Sequence, residues 1–221
     1  MDKPVSIIIP AYNEEERIGL TLSALHGSGS WFHELIVVDD GSVDETFTEA
    51  LKWTSSVFRL SRNEGKAAAL IYGVQQSAGH ILLFLDADLA DSAGDARWLT
   101  APIQRDEADM TVAVFPKPKK SGFGLVKNFA ARQIFAKTGV RVQAPLSGQR
   151  AIKREVFQAC YRGDTGFGFE VGLTLDCLLA DYRVKEVGIH FKHRETGQTV
   201  QGYMHRMKQG WAVLQALQRR T

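Results

Sequence analysis

Residues 81–85 (ILLFL) read as an apolar strand that runs directly into Asp86-Ala87-Asp88. On an extended chain, side chains two apart point the same way. Both carboxylates therefore face one side, at the carboxyl end of the strand. That edge is where open α/β sheets bind ligands. Paired hard oxygen ligands suit Mg²⁺ or Mn²⁺, with substrate phosphates completing the shell. The spacing points to a metal that in turn holds a phosphorylated substrate. Alone, an Asp-x-Asp pair is read equally well as a solvated turn. The neighbouring elements decide between the two.

Those elements alternate. Val5-Pro10 reads as a buried strand, followed by a helix from Glu14 to about His26 with Asn13 as its N-cap and glutamates in its first turn. Glu34-Asp39 is a second strand, and Ser42-Val43-Asp44-Glu45 has the form of a capping box opening the next helix. Val57-Leu60, His80-Leu85 and Asp109-Phe115 are further strands, with a helix from about Lys66 to Ser77. Strands recurring about every 25 residues with helices between them argue βαβ units and a mainly parallel central sheet flanked by helices. The second half is less regular. Residues 116–124 read as a mobile loop, then a helix to about Lys137, strands within 142–152 and 184–191, and helices over 169–180 and 203–218. With no repeat and no convincing linker, residues 1–221 are expected to form one α/β domain, its first half (1–115) binding the ligand of the strand ends.

Three strand ends carry polar signatures: Pro10-Ala11-Tyr12-Asn13-Glu14, Asp39-Asp40-Gly41-Ser42 and Asp86-Ala87-Asp88. In a parallel sheet they share one edge and can converge on one crevice. Asn63-Glu64-Gly65-Lys66 opens a helix and can add a lysine and free N–H groups for phosphate. Taken singly, each also reads as a cap, a turn or a solvated lysine; their joint placement argues for a site. Gly65-Lys66 is followed by Ala67, so the P-loop pattern fails, and the first βα turn has no glycine, so the dinucleotide fingerprint fails.

The ordered set IIIPAYNEE, IVVDDGSVDET, RNEGKAAAL and LLFLDADL resembles the family-two glycosyltransferases with the GT-A fold, over residues 5 to about 115. The resemblance implies that Pro10, Ala11, Tyr12 and Glu14 line a nucleotide pocket and that Asp39 or Asp40 bonds the base. It implies Lys66 near base or phosphate, and Asp86, Ala87 and Asp88 at a site for metal and ribose-phosphate, Asp88 being the direct ligand of choice. A nucleotide-sugar donor follows, UDP-linked or alternatively GDP-linked, with Mg²⁺ or Mn²⁺ stabilising the leaving diphosphate.

The second half is expected to select the acceptor. Gly166-Phe167-Gly168-Phe169-Glu170 is similar to a segment of the glucosyl- and mannosyl-phosphoglycerate synthases. Inverting relatives carry a Glu-Asp pair there, whereas here Val171 follows Glu170. Glu170 is therefore a base, an acceptor-orienting group or a helix cap. Ser147-Gly148-Gln149-Arg150 corresponds to a stretch bordering sugar and acceptor in relatives, which puts Gln149 and Arg150 near acceptor or phosphate; the plainer alternative is a turn into a strand. His193-Arg194, with Gly197 and Thr199, is similar to an element of dolichyl-phosphate mannose synthases. Phosphoglycerate-using relatives place a histidine metal ligand near here, which implies His193 as a third ligand beside Asp88 and Arg194 on phosphate, against the alternatives of a structural histidine and of the nearby His190.

From Met110 to Arg154 there are ten lysines and arginines and no Asp or Glu, although the whole chain carries a net charge of only +2. Such a segment fits an anionic partner: diphosphate, an acceptor phosphate (a small phosphorylated acid or a polyprenyl phosphate) or anionic lipid. No motif supports nucleic acid. From Tyr203, apolar residues three or four apart form a helical stripe among basic residues, suited to packing on the domain, on a second subunit in a homodimer, or on a membrane surface. Two cysteines without metal spacing, no basic-apolar leader and no apolar run near 18 residues imply a cytoplasmic protein, peripheral if it meets a membrane. A nucleotidyltransferase of related fold is disfavoured by the absence of a glycine-rich loop after strand one. An inactive nucleotide-binding relative is disfavoured by the intact Asp86-Ala87-Asp88.

Overall fold

The computed structural model describes residues 2–115, 124–166, 168–189, 217 and 219. The first half runs β1 (Val5–Ala11), α1 (Ile18–Gly27), β2 (Glu34–Asp39), α2 (Thr46–Leu51), β3 (Val57–Arg59), α3 (Lys66–Gln76) and β4 (Ile81–Phe84). A 3₁₀ turn (Ala90–Ala96) leads into α4 (Arg97–Gln104) and β5 (Met110–Val114). Then come α5 (Gly124–Thr138), β6 (Arg150–Lys153), α6 (Arg154–Cys160), α7 (Gly168–Leu179) and β7 (Val184–Gly188).

The seven strands form one sheet in the order β3-β2-β1-β4-β6-β5-β7. β1 pairs in parallel with β2 and β4, β2 with β3, and β5 with β7. β6 lies antiparallel between β4 and β5. The expected mainly parallel sheet is thus present with one reversed strand. β1 is buried along its whole length, and β2 almost so. That is why both read as unbroken apolar runs: helices cover both faces of the sheet. Ile7 and Ile9 join a cluster with Ile18, Leu22 and Leu25 of α1, while Ile8, between them, points to the other face and meets Ala67, Leu70 and Val74 of α3. Gly73 lets α3 come close, since a Cβ there would lie 2.5 Å from Ile8 Cγ2.

Two local expectations are corrected. α1 begins at Ile18, so Asn13 does not cap it; Asn13 sits at φ 54° and its Oδ1 accepts the Val43 N–H at 3.0 Å. Nor does Ser42 open a capping box, because α2 begins only at Thr46. Ser42 Oγ instead accepts the Asn13 N–H at 2.9 Å, and the Glu15 carboxylate accepts the Glu45 N–H at 2.9 Å. Short polar side chains bond whichever backbone groups lie in reach. Here the loops after β1 and β2 are side by side, and cross-loop bonds replace local caps. The expected loop at 116–124 falls outside the described residues up to 123, as does the C-terminal stripe except Leu217. Leu217 is buried in a cluster with Ala130, Ile134, Val171 and Leu175. Cys160 and Cys177 are both buried and free.

Candidate active site

The loops after β1, β2 and β4, with the start of α3, enclose a cleft of about 420 Å³. Its walls are Pro10, Ala11, Tyr12 and Glu14; Asp40; Asn63, Gly65 and Lys66; and Asp86, Ala87 and Asp88. The polar strand ends read from the sequence therefore meet in one place. A larger cavity, about 540 Å³, lies beside α6 and α7 and is lined by residues such as Ala159, Cys160, Leu179 and Arg219. It lacks convergent carboxylates, and size alone does not make it the site.

The Asp39-Asp40 pair divides its work. Asp39 is fully buried behind the cleft, its carboxylate accepting the Ser42 N–H at 2.9 Å and pairing with Arg59 at 2.6 Å. Asp40 faces the cleft, and its carboxylate accepts the N–H groups of Glu64 at 2.7 Å and Gly65 at 2.8 Å. Burial pushes the Asp40 pKa up; those two bonds act in the opposite direction. The pair of bonds fastens the β3–α3 loop to the end of β2. Gly41 makes the approach feasible: at φ 73°, a Cβ would lie 2.6 Å from the Arg62 carbonyl carbon. Gly41→Ala is therefore expected to cost about 1–2 kcal/mol in backbone strain alone and to push the loop outward. Calorimetric titration should show nucleotide affinity falling by roughly tenfold, the equivalent of about 1.4 kcal/mol. Unchanged affinity would mean that the loop does not shape the nucleotide pocket.

Lys66, at the first turn of α3, is half-buried and hydrogen-bonds one oxygen of the Asp86 carboxylate; Gln149 donates to the other. Burial works against the Lys66 ammonium, but Asp86 and Glu170 outweigh it, and the pKa moves up. Lys66 is thus a fixed cation at the cleft. Gly148 leaves room for this contact, since a Cβ there would meet Lys66 Nζ. Thr21, on the buried face of α1, was not singled out from the sequence. Its hydroxyl donates to Ala87 O at 2.7 Å and accepts the Ala90 N–H at 2.9 Å, pinning the Asp86-Ala87-Asp88 turn. The only local signal was a threonine among the apolar positions of a helix.

Three residues read toward the acceptor have other surroundings. Arg150 is fully buried on β6; its guanidinium donates to Glu170 O at 3.0 Å, to Thr174 Oγ1 at 3.3 Å and to Ser147 O. Burial pulls its pKa down. Its side chain ties β6 to α7 and is not on the cleft wall. Gln149 is also buried, and it acts on the cleft through Asp86. Glu170, on the first turn of α7, is 4% exposed, with Oε2 lacking a hydrogen-bond partner among the described residues. Burial raises its pKa, with Lys66 and Arg150 opposing. It stands behind Lys66 and Asp86 and does not line the cleft.

His193 and Arg194 lie outside the described residues. Among the described residues, no three or more histidine, cysteine or acidic side chains cluster as a metal site. Asp86 and Asp88 remain the candidate ligands, and a two-carboxylate set suits Mg²⁺ or Mn²⁺ when phosphates and water supply the other oxygens.

An open, mostly parallel sheet with a carboxylate turn and a fixed lysine in a cleft at its carboxyl edge defines an α/β protein whose cleft lies where such sheets bind ligands. The chain belongs to glycosyl transferase family 2, whose family model matches residues 6–160. It is 30% identical over 150 residues to the dodecaprenyl-phosphate galacturonate synthase of Rhizobium johnstonii, covering 62% of this chain and 44% of that protein. It is 29% identical over 196 residues to the glucosyl-3-phosphoglycerate synthase of Mycolicibacterium smegmatis, covering 79% of this chain and 64% of that one. The chain thus spans less than two thirds of either relative. Among solved structures it is similar to the glucosyl-3-phosphoglycerate synthase of Mycobacterium tuberculosis in complex with Mn²⁺, UDP-glucose and phosphoglyceric acid. That match has a TM-score of 0.77 and 27% identity, over 97% of this chain and 80% of that one. The expected GT-A fold and the resemblance to both kinds of synthase are borne out.

Proposed function

We propose that this chain transfers a hexosyl group from a nucleotide-diphosphate sugar, a UDP-sugar, to a phosphorylated acceptor, with Mg²⁺ or Mn²⁺ bound at the Asp86-Ala87-Asp88 turn. The observation that carries the reading is the convergence of four separate polar segments on one cleft, with Asp88 and the Lys66–Asp86 pair side by side. Tyr12, Pro10, Ala11 and Asp40 form the nucleoside end, and Lys66 faces the phosphates. The metal supplies Lewis acidity to the leaving diphosphate. The chain's own residues do the rest. Lys66 adds a second, preorganised positive charge where negative charge develops. Asp86, gripped by Lys66 and Gln149, holds that lysine in register. Glu170 keeps its place behind the pair as a positioning residue. We assign His193 to the metal and Arg194 to phosphate on the resemblance to the phosphoglycerate-using and prenyl-phosphate enzymes.

The acceptor is anionic, which the acid-free stretch from Met110 to Arg154 supports. Relatives point to two forms of it, phosphoglyceric acid and prenyl phosphate. No helix of the described residues is long and apolar enough to cross a membrane.

Titrating UDP, GDP and their glucose, mannose and N-acetylglucosamine conjugates, with and without Mn²⁺, tests the reading. Metal-dependent binding of one nucleotide class is expected, and turnover should release the free nucleoside diphosphate. Release of pyrophosphate would mean a nucleotidyltransferase. No binding at millimolar nucleotide would end the glycosyltransferase reading.

A further inference from the structure

α5 has two faces of different character. Ala130 and Ile134 are buried and pack with Val171 and Leu175 of α7. The opposite face carries Phe129 and Phe135, 38% and 44% exposed, with Arg132 between them at helical spacing. Lys127, seven residues before Ile134, lies at one end of the helix on the side that packs. At the other, after the turn at Gly139, come Val140 (40% exposed) and Arg141, whose guanidinium lies 5.4 Å from the centroid of the Phe135 ring. Among the described residues, nothing covers these two phenylalanines, six residues apart on one helix.

The charge of the surrounding chain says what could cover them. No Asp or Glu occurs from Met110 to Arg154. Glu186, which reaches this segment from β7, is engaged by the N–H groups of Gln143 and Ala144, each at 2.7 Å. An aromatic face flanked by Arg132 and Arg141, without a countercharge among the described residues, has the composition of a helix that lies in a lipid interface. A second copy of the chain is a poor occupant, because twofold pairing of this face would set cations against cations. We propose that the outer face of α5 docks on an anionic lipid bilayer. Phe129, Phe135 and Val140 enter the headgroup boundary, and Arg132 and Arg141 meet the anionic headgroups. The inference concerns a surface away from the donor cleft, and it is tested without nucleotide. Its failure therefore leaves the reading of the cleft untouched.

The test is co-sedimentation with large vesicles of phosphatidylcholine and phosphatidylglycerol mixed three to one, against vesicles of phosphatidylcholine alone. Wild type is expected to sediment with the mixed vesicles only, and less so as salt is raised. The variant R132E/R141E should lose roughly fivefold in partitioning for each charge removed, before added repulsion. F129S/F135S should lose binding as well. All four positions are exposed, so both variants are expected to keep the wild-type melting temperature, which is measured alongside. Equal binding to both vesicle types, no binding by wild type, or binding unaffected by either variant would overturn the proposal. So would a wild-type dimer that F129S/F135S turns into a monomer while vesicles remain unbound, since the face would then belong to a second copy.

Discussion

Asp88→Ala is expected to reduce donor turnover by about a thousandfold, equivalent to about 4 kcal/mol of transition-state stabilisation. The size of the effect follows from how the two carboxylates of the turn are used. Asp86 has both oxygens occupied, one by Lys66 and one by Gln149. To bind a metal it must share an oxygen that already holds a lysine. Asp88 also lines the cleft, one residue from Ala87, whose carbonyl is pinned by Thr21. We therefore propose Asp88 as the chief metal ligand, in line with the family resemblance. The measurement is a Mn²⁺-dependent nucleotide titration with parallel kinetics on Asp88→Ala and Asp88→Asn. Both variants should lose the metal dependence of binding while keeping the melting temperature. An Asp88→Ala enzyme within tenfold of wild type would move the metal elsewhere or remove it from the reaction.

The second large effect is on stability. Arg150→Ala is expected to destabilise the fold by about 4 kcal/mol, within the range for removing one member of a buried polar network. The guanidinium is fully buried and donates to the carbonyls of Ser147 and Glu170 and to the Thr174 hydroxyl. Truncation leaves these acceptors without their donor and opens a void between β6 and α7. The same bonds fix the first turn of α7, where Glu170 faces Lys66. Denaturant unfolding of wild type, Arg150→Ala and Arg150→Met measures the loss. Methionine fills part of the void, so it should recover some of the packing but none of the hydrogen bonds. If Arg150→Ala unfolds at the wild-type midpoint and only the KM for acceptor rises, the arginine touches the acceptor after all.

That contrast shows where the sequence stops being readable. Ser147-Gly148-Gln149-Arg150 was legible as a segment close to the chemistry, and Gln149 does reach Asp86. Whether Arg150 faced solvent, ligand or core was not legible, because it depends on β6 entering the sheet reversed between β4 and β5. No pattern within residues 142–152 encodes that insertion. The local caps failed for a related reason. Asn13 and Ser42 have the chemistry of N-caps, but each found a partner on the other's loop. Thr21 is a further case: its role arises only because α1 lies beneath the turn after β4.

What the sequence determined alone was the set of strand ends and their chemistry. Unbroken apolar runs for β1, β2 and β4, each followed by a polar turn, specify a buried parallel sheet with functional groups on one edge. Glycines at 41 and 65 stand at two turns beside the cleft that take positive φ, at 73° and 94°. Only the tertiary structure separated Asp40, in the cleft, from Asp39, held behind it by Arg59. It alone put Glu170 and Arg150 inside, and left Phe129 and Phe135 outside. The physical reason is range. Periodicity and turn chemistry act within a few residues and are written in the chain. The partner of a polar side chain, and the side on which it is buried, depend on segments 28 to 76 residues away whose register no local pattern records, as in the pairing of β1 with β2 and β4 and of β4 with β6.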